Sequence, residues 1–438
     1  MWRSAELLLL TLLAGALHAQ PGWTWTPLAP LPRPMANHAF CTATVNGDER
    51  AYAFMGITTG LTSDSITLRA YQYESSIDAW RVLPDVPDTL GRVASAASVV
   101  NGVAYVIGGY HVFDGPPFEL SSDRVHRFDL ASGVWLPDGA PVPVPIDDQV
   151  QAVWRDSLIY VVTGWSDGTN VPDVQVYDPA NDAWQSATPV PNNNLYKVFG
   201  ASGTIVGDTI YYYGGASLGF NFPAQDELRM GIIDPADPLQ VTWLPPVSTG
   251  RTVYRPGCFT LAGRPHWLGG SSVSYNYDGL AYAGGAVVPP LAEVAVYDPG
   301  GGWLGVETTP EAVMDLRGMG GWPGGEVMLA GGIGPDTTVL ASAWRIDPLP
   351  LGVPAANERQ PIIRVFPNPA RDRITVLLPP GSEGGVLELF SAVGQRLEVF
   401  DVEDVTVQID LSGHPAGTYV LQLSSGSTVS RVRFWSVD

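Results

Sequence analysis

The chain has 438 residues, 45% of them hydrophobic, which excludes a disordered tail and leaves room for roughly two or three domains. Its 44 acidic residues outweigh 23 basic ones for a formal charge of −21, a field that repels polyanions, excludes nucleic acid as a partner and suits solubility in a saline exterior. Glycine (49) and proline (39) are spread without a triplet period, so many turns between short strands are expected, and no long helical period competes with an all-β reading.

In chain order, Met1-Trp2-Arg3, the apolar run around Leu7–Leu13 and the small residues up to Ala19 read as a signal peptide over residues 1–19. The run is too short to be a stable membrane span, so no transmembrane helix is expected in the mature protein. No cysteine follows the cleavage region, which argues against a lipid anchor.

Residues 20–348 repeat three signals in fixed order. A glycine pair ends an apolar strand at Gly108-Gly109, Gly214-Gly215, Gly269-Gly270 and Gly331-Gly332, with weaker copies at Met55-Gly56 and Thr163-Gly164. An aromatic or aliphatic residue then precedes an acid, as in Phe128-Asp129, Tyr177-Asp178 and Tyr297-Asp298. A tryptophan follows at Trp80, Trp135, Trp184, Trp243 and Trp303. Near-continuous apolar runs such as Ala104–Ile107 suit strands sandwiched between neighbouring sheets, and tryptophan suits the wide outer wedge between them.

This pattern resembles the kelch repeat, a unit of about 50 residues. The resemblance implies an all-β fold, a six-bladed kelch-type β-propeller. The sixth copy stops at Ile346-Asp347-Pro348 without a tryptophan, whereas Trp25 stands in a strand with no block before it. The N-terminal strand is therefore expected to complete the last blade and remove two free sheet edges. Cys41 and Cys258 fall on blades one and five, which are not neighbours, so two separate thiols are preferred to a disulfide.

Residues 349–361 are Pro-rich and polar and read as a linker. Residues 362–438 alternate in short runs, Ile374–Leu378, Val386–Phe390, Val405–Leu411, Tyr419–Leu423 and Val429–Phe434, the pattern of a small Ig-like β-sandwich. The motif residues Pro367, Asn368, Pro369, Gly394, Gly417 and Tyr419 make this segment resemble the type A sorting domain of the type IX secretion system of Bacteroidetes. The resemblance implies passage through the periplasm, the type IX secretion machinery as a partner, and a secreted or outer-membrane surface location.

Histidines are few and scattered without metal-ligand spacing, so the copper chemistry of the galactose oxidase relatives of this fold is not expected, nor is any cofactor. The run Ser166–Asn170 lacks the regular spacing of a calcium loop and reads as a turn. The entry turns of the blades carry Arg33, Arg92, Asp147, Asp148, Lys197, Arg251, Arg255 and Arg317, mostly cations in an acidic chain. The loops after the glycine pairs carry Tyr110, Trp165, Phe220, Tyr275 and Tyr277. Three readings follow. In the first, a basic, aromatic mouth recognises a glycan or protein ligand and the protein is a binding module. In the second, resemblance to sialic-acid mutarotases implies a sugar-acid enzyme, with Arg33, Arg92 or Arg317 holding a carboxylate while Asp147 or Asp148 moves a proton. In the third, a structural scaffold, the mouth is plugged by its own loops. Fold alone does not choose among them.

Overall fold

The computed structural model describes residues 23–300, 302–348, 363–368, 370–379, 381–391, 395–425 and 428–437. The expected signal peptide (1–19) and linker (349–361) lie outside them, as do Pro369 and Gly394. Two compact units result, one up to Leu349 and one from Pro350 onward.

The first unit is a ring of six antiparallel sheets, five of four strands and one, blade four, that gains a short fifth strand, Val247–Ser248. Blade one comprises Ala39–Val45, Asp48–Phe54, Ala70–Glu74 and Ala79–Val82 from the channel outward. The inner strands of the next five blades are Ala96–Val100, Val150–Trp154, Phe199–Val206, Gly257–Leu261 and Gly320–Gly321. Blade six takes its outer strand, Trp23–Leu28, from the start of the chain, antiparallel to Ala343–Pro348. Trp25 lies opposite Ile346, as Trp80 lies opposite Tyr73 and Trp184 opposite Tyr177. The missing tryptophan of the sixth repeat is thus supplied from the other end of the sequence.

The outer tryptophans act as wedges with a polar tip. The indole N–H groups of Trp80, Trp135, Trp184 and Trp243 donate to the carbonyls of Ala29, Pro84, Ala140 and Thr188, each in the segment that leads from the preceding blade into the tryptophan's own. Each ring therefore buries apolar area while its only donor stays paired.

The glycine pairs have a different cause. Gly269 has φ +66°, and a Cβ there would lie 2.1 Å from the carbonyl oxygen of Val313, the residue that leads into the next blade. Its partner Gly270 donates its amide to that same oxygen at 2.9 Å. The pair lets one blade's second strand press its backbone against the next blade's entry turn. The weak copies reach the same conformation without glycine: Met55 has φ +56° and Thr163 φ +46°. At Thr163 the hydroxyl bonds Val171 O at 2.8 Å and Val198 O at 3.2 Å, which helps hold the strained residue.

The second unit is a two-sheet sandwich. Arg364–Phe366, Arg373–Leu377 and Thr406–Asp410 form one sheet; Arg396–Asp401, Val386–Ser391, Gly417–Ser425 and Thr428–Ser436 form the other, in that spatial order. Its own core includes Ile374, Val376, Leu387, Leu389, Leu421 and Phe434. The strand Arg396–Asp401 was not among the runs expected from sequence. It is an edge strand whose side chains are half-buried or exposed, so its alternation carries little apolar contrast. Asn368 accepts a hydrogen bond from the Trp435 amide at 3.0 Å, and the Tyr419 hydroxyl donates to the Pro415 carbonyl, which gives two motif residues a structural role.

Deleting Trp23–Leu28 should expose the Ala343–Pro348 edge and remove the blade-six wedge. We expect a loss of at least about 3 kcal/mol in propeller stability, read by chemical denaturation; an unchanged midpoint would contradict ring closure by this strand.

Candidate functional site

The site is organised by one left-handed residue per blade. Asn37, Ala94, Asp148, Gly200, Arg255 and Asp315 all have φ between 48° and 66° and stand where each entry turn meets its inner strand. Their backbones form a closed chain of hydrogen bonds around the channel. Asn37 N donates to Asp315 O at 2.9 Å, Ala94 N to Asn37 O at 3.3 Å, Asp148 N to Ala94 O at 3.2 Å and Gly200 N to Asp148 O at 2.9 Å. Arg255 N donates to Gly200 O at 2.8 Å, and Leu316 N to Arg255 O at 3.3 Å, which returns to blade six.

Side chains from this ring fill the channel's entry end. Arg255 is fully buried and grips Asp148 with two hydrogen bonds, Nε to Oδ1 at 3.0 Å and Nη2 to Oδ2 at 2.5 Å. Its Nη1 reaches Asp315 Oδ1 at 3.0 Å, and its guanidinium lies over the rings of Tyr254 and Tyr275 at 5.1 and 5.5 Å. Arg317 donates through Nη2 to the Gln149 carbonyl at 2.8 Å, with Nη1 3.3 Å from Asp148. Two arginines thus face two carboxylates at the centre of the ring. Burial pushes the Asp315 carboxyl up to about 6 against the pull of Arg255. Burial and the neighbouring Asp148 hold the Asp147 carboxyl well above the usual carboxylate range; it accepts from Ser121 Oγ at 2.5 Å.

Above this layer, residues from the loops of all six blades form an apolar cap that includes Ile57, Tyr110, Phe199, Tyr254, Tyr275 and Ile333. The loop face is therefore plugged by its own loops, except for a pocket of about 70 Å³ lined by Tyr110, Glu119, Asp147, Asp148, Trp165, Phe199, Phe222, Arg255 and Tyr282. Below it the channel is open. It has a volume of about 540 Å³, is lined by all six inner strands, and ends where the exposed Thr260 and Gly321 stand at the opposite, hairpin face. Its walls carry Thr42, Ser98, Gln149, Gln151, Ser202, Thr204 and Thr260, and among the lining residues Arg317 alone is charged. Arg317 is 7% exposed, and its Nε and Nη1 have no hydrogen-bond partner; neither has the Gln149 Oε1 beside it.

The residues singled out in the sequence divide accordingly. Asp147, Asp148, Arg255, Tyr110 and Trp165 meet at the loop-face pocket. Arg317 faces the channel below. Arg92 reaches neither cavity: it is fully buried, bonded to Gly108 O at 2.9 Å and paired with Asp88. Asp88 in turn is held well below its ordinary value by His126 and Arg92, despite burial that would raise it. Arg33 is exposed, Lys197 half-buried, and Arg251 pairs with Glu293 at 2.8 Å at the surface. Tyr275 is wholly buried against Arg255, Tyr277 is half-buried, and Phe220 is 94% exposed. The cations of the entry turns therefore do not pool into a basic mouth. The run Ser166–Asn170 belongs to a two-stranded hairpin, Trp165–Ser166 with Thr169–Asn170. Cys41 and Cys258 are separate thiols, with burial pushing Cys41 up to about 12. Sequence reasoning missed Asp315 and Glu119. For Asp315 a signal existed: Asn37, Asp148, Gly200 and Asp315 are the residue types that tolerate the left-handed region, at one position per repeat.

Residues 364–435 match the family model of the secretion system C-terminal sorting domain, and residues 155–191 match that of the kelch motif. Kelch-like protein terF of Aspergillus terreus (strain NIH 2624 / FGSC A1156) is 30% identical over 146 residues, 31% of this chain and 30% of its own. Kelch-like protein 25 of Xenopus tropicalis is 25% identical over 175 residues, covering 40% and 27%. Kelch-like protein 35 of Mus musculus is 26% identical over 200 residues, covering 46% and 30%. The matched part thus spans less than a third of the length of these curated relatives. Among solved structures, that of YjhT shares the fold with a TM-score of 0.57 at 15% identity, over 72% of this chain and 95% of that one.

The raised Asp315 carboxyl sets a pH dependence. A carboxyl that binds its proton more tightly when folded contributes most below the unfolded value of 3.8, and that contribution is lost as pH rises through about 6. The Asp315→Asn variant should therefore show a flatter decline in stability across that window than the wild type, measured by urea midpoints; an identical slope would contradict the raised value.

Proposed function

We propose that this chain, a kelch-motif β-propeller followed by a secretion-system C-terminal sorting domain, works outside the cell as a binding module that takes a small hydroxylated carboxylate into its channel. The sorting domain itself indicates secretion and cell-surface attachment and implies contact with the type IX secretion machinery. What the propeller binds there is our reading. One observation carries it: in a protein of charge −21, the channel's only charged lining residue is a buried arginine whose Nη1 is ion-paired with Asp148 at 3.3 Å but whose Nε and Nη1 make no hydrogen bond. Unmade hydrogen bonds on a buried guanidinium are costly, and a ligand carboxylate would complete them while the hydroxyl and amide walls meet sugar hydroxyls.

The mutarotase reading finds less support. An Arg255–Asp148 pair does converge at the loop-face pocket, but the two groups are bonded to each other, and about 70 Å³ leaves room for only a few waters. In the channel no Asp, Glu, His or Tyr lines the space beside Arg317, so neither an acid nor a base stands ready to move a proton. The plugged loop face is what a scaffold role expects, whereas the open channel favours binding.

Calorimetric titration of the propeller with glucuronate tests this. Wild type should bind it, and Arg317→Gln should weaken binding about tenfold or more, for a charge-assisted bond of roughly 1.5–3 kcal/mol. The fold should survive, because Arg255 still pairs with Asp148. Equal binding by both proteins, or by neither, would overturn the channel reading. Removing residues 363–438 should in turn leave a folded propeller inside the cell envelope, detected by fractionation; normal amounts of truncated protein at the surface would contradict the sorting role.

A further inference from the structure

We propose that the loop-face pocket is a second binding site, separate from the channel, for a small organic ammonium group. Its walls are aromatic: Tyr110, Trp165, Phe199, Phe222 and Tyr282 line it. Trp165 and Phe222 meet edge to face at 5.5 Å, and Phe222 and Tyr282 at 4.9 Å, so the rings stand at steep angles and box in the space. Such boxes attract cations through the negative faces of the rings.

The charges point the same way. Arg255 borders the pocket, but its charge is already matched by Asp148 and Asp315. Glu119 at the rim and Asp147 at the base form no ion pair among the described residues. Asp147 is 3% exposed, and only one of its oxygens has a partner, the Ser121 hydroxyl. Tyr110, 4% exposed, also stands in this wall. The pocket thus holds two carboxyl groups without a counter-cation and an acceptor-capable phenol, inside a box of aromatic faces. A cavity of about 70 Å³ suits a methylated ammonium head rather than a whole sugar.

Occupancy should depend on pH. The groups facing Asp147 and Glu119 are Asp148, Arg255 and each other, with Tyr110 and Tyr282 alongside; His111, on the same hairpin, turns to the Gly91 carbonyl at 3.3 Å. Burial raises both carboxyls, so without a cation they retain protons into a higher pH range, and an ammonium ligand favours their ionised forms. Binding therefore releases protons and tightens as pH rises.

The full mature protein would be titrated with tetramethylammonium chloride, with neopentyl alcohol as the neutral isostere, at about pH 5.5 and about pH 8. We expect saturable binding of the cation, about tenfold or more tighter at the higher pH and about tenfold or more tighter than the isostere. Asp147→Asn should reduce the pH effect, and Glu119→Gln, at the exposed rim, should weaken binding without touching the fold. Absent saturation, equal binding of the isostere, or a pH-independent affinity in wild type would overturn the proposal, as would saturation by glucose in place of the cation. Glu119→Gln should leave glucuronate binding in the channel unchanged, because Glu119 does not line the channel, so failure here is distinct from failure of the channel reading.

Discussion

Everything in the propeller depends on the closed chain of backbone hydrogen bonds from Asn37 through Ala94, Asp148, Gly200 and Arg255 to the Asp315–Leu316 step. Each link joins one blade to the next, and each requires its residue to sit in the left-handed region. Only Gly200 does so without a steric penalty; for Ala94 and Arg255 the cost is of order 1–3 kcal/mol each. Such strain persists only where the surroundings over-determine it. The glycine-pair amides supply part of that, by donating to the residues just ahead of the ring, as Gly109 does to Ile146 O and Gly332 to Met35 O.

The ring also decides what the two ends of the channel can do. Because its members point charged side chains inward, the entry end fills with Arg255, Asp148 and Asp315, whose mutual bonds leave no free cation for a ligand there. A buried charge network of this kind adds little net stability, yet losing one partner leaves the others uncompensated. Arg317, two residues beyond the ring, falls on the channel side of that layer; its Nη1 stays 3.3 Å from Asp148, and neither Nε nor Nη1 makes a hydrogen bond. A displacement of two residues along the entry turn separates a guanidinium bonded to two aspartates from one that lines the channel.

Outside the ring the two cavities have opposite chemistry. The channel is polar and bears a single positive charge; the loop-face pocket is aromatic and bears carboxyls without a matching cation. Ser121 and Asp147 tie the hairpin carrying Glu119 to the entry turn of blade three, so the pocket is built on rigid elements on at least one wall. Phe220, the most exposed of the loop aromatics named from sequence, contributes to neither cavity.

The sequence by itself determined the architecture, because its signals are local and repeated. Glycine pairs, acid-preceding aromatics and wedge tryptophans each answer to a steric need that recurs in every blade, and the unpaired Trp25 and the tryptophan-less end at Pro348 together told of closure. The sorting segment was legible for the same reason, in closely spaced motif residues. The destination of the entry-turn cations was not legible. Arg92, Arg255 and Arg317 look alike in sequence, yet they end at a glycine carbonyl, between two aspartates and in an open channel. Their partners lie far away in the chain, 107 residues in the case of Arg255 and Asp148. Only the closing of the ring, which turns six separate entry turns into one crowded axis, decides which partner each charge meets.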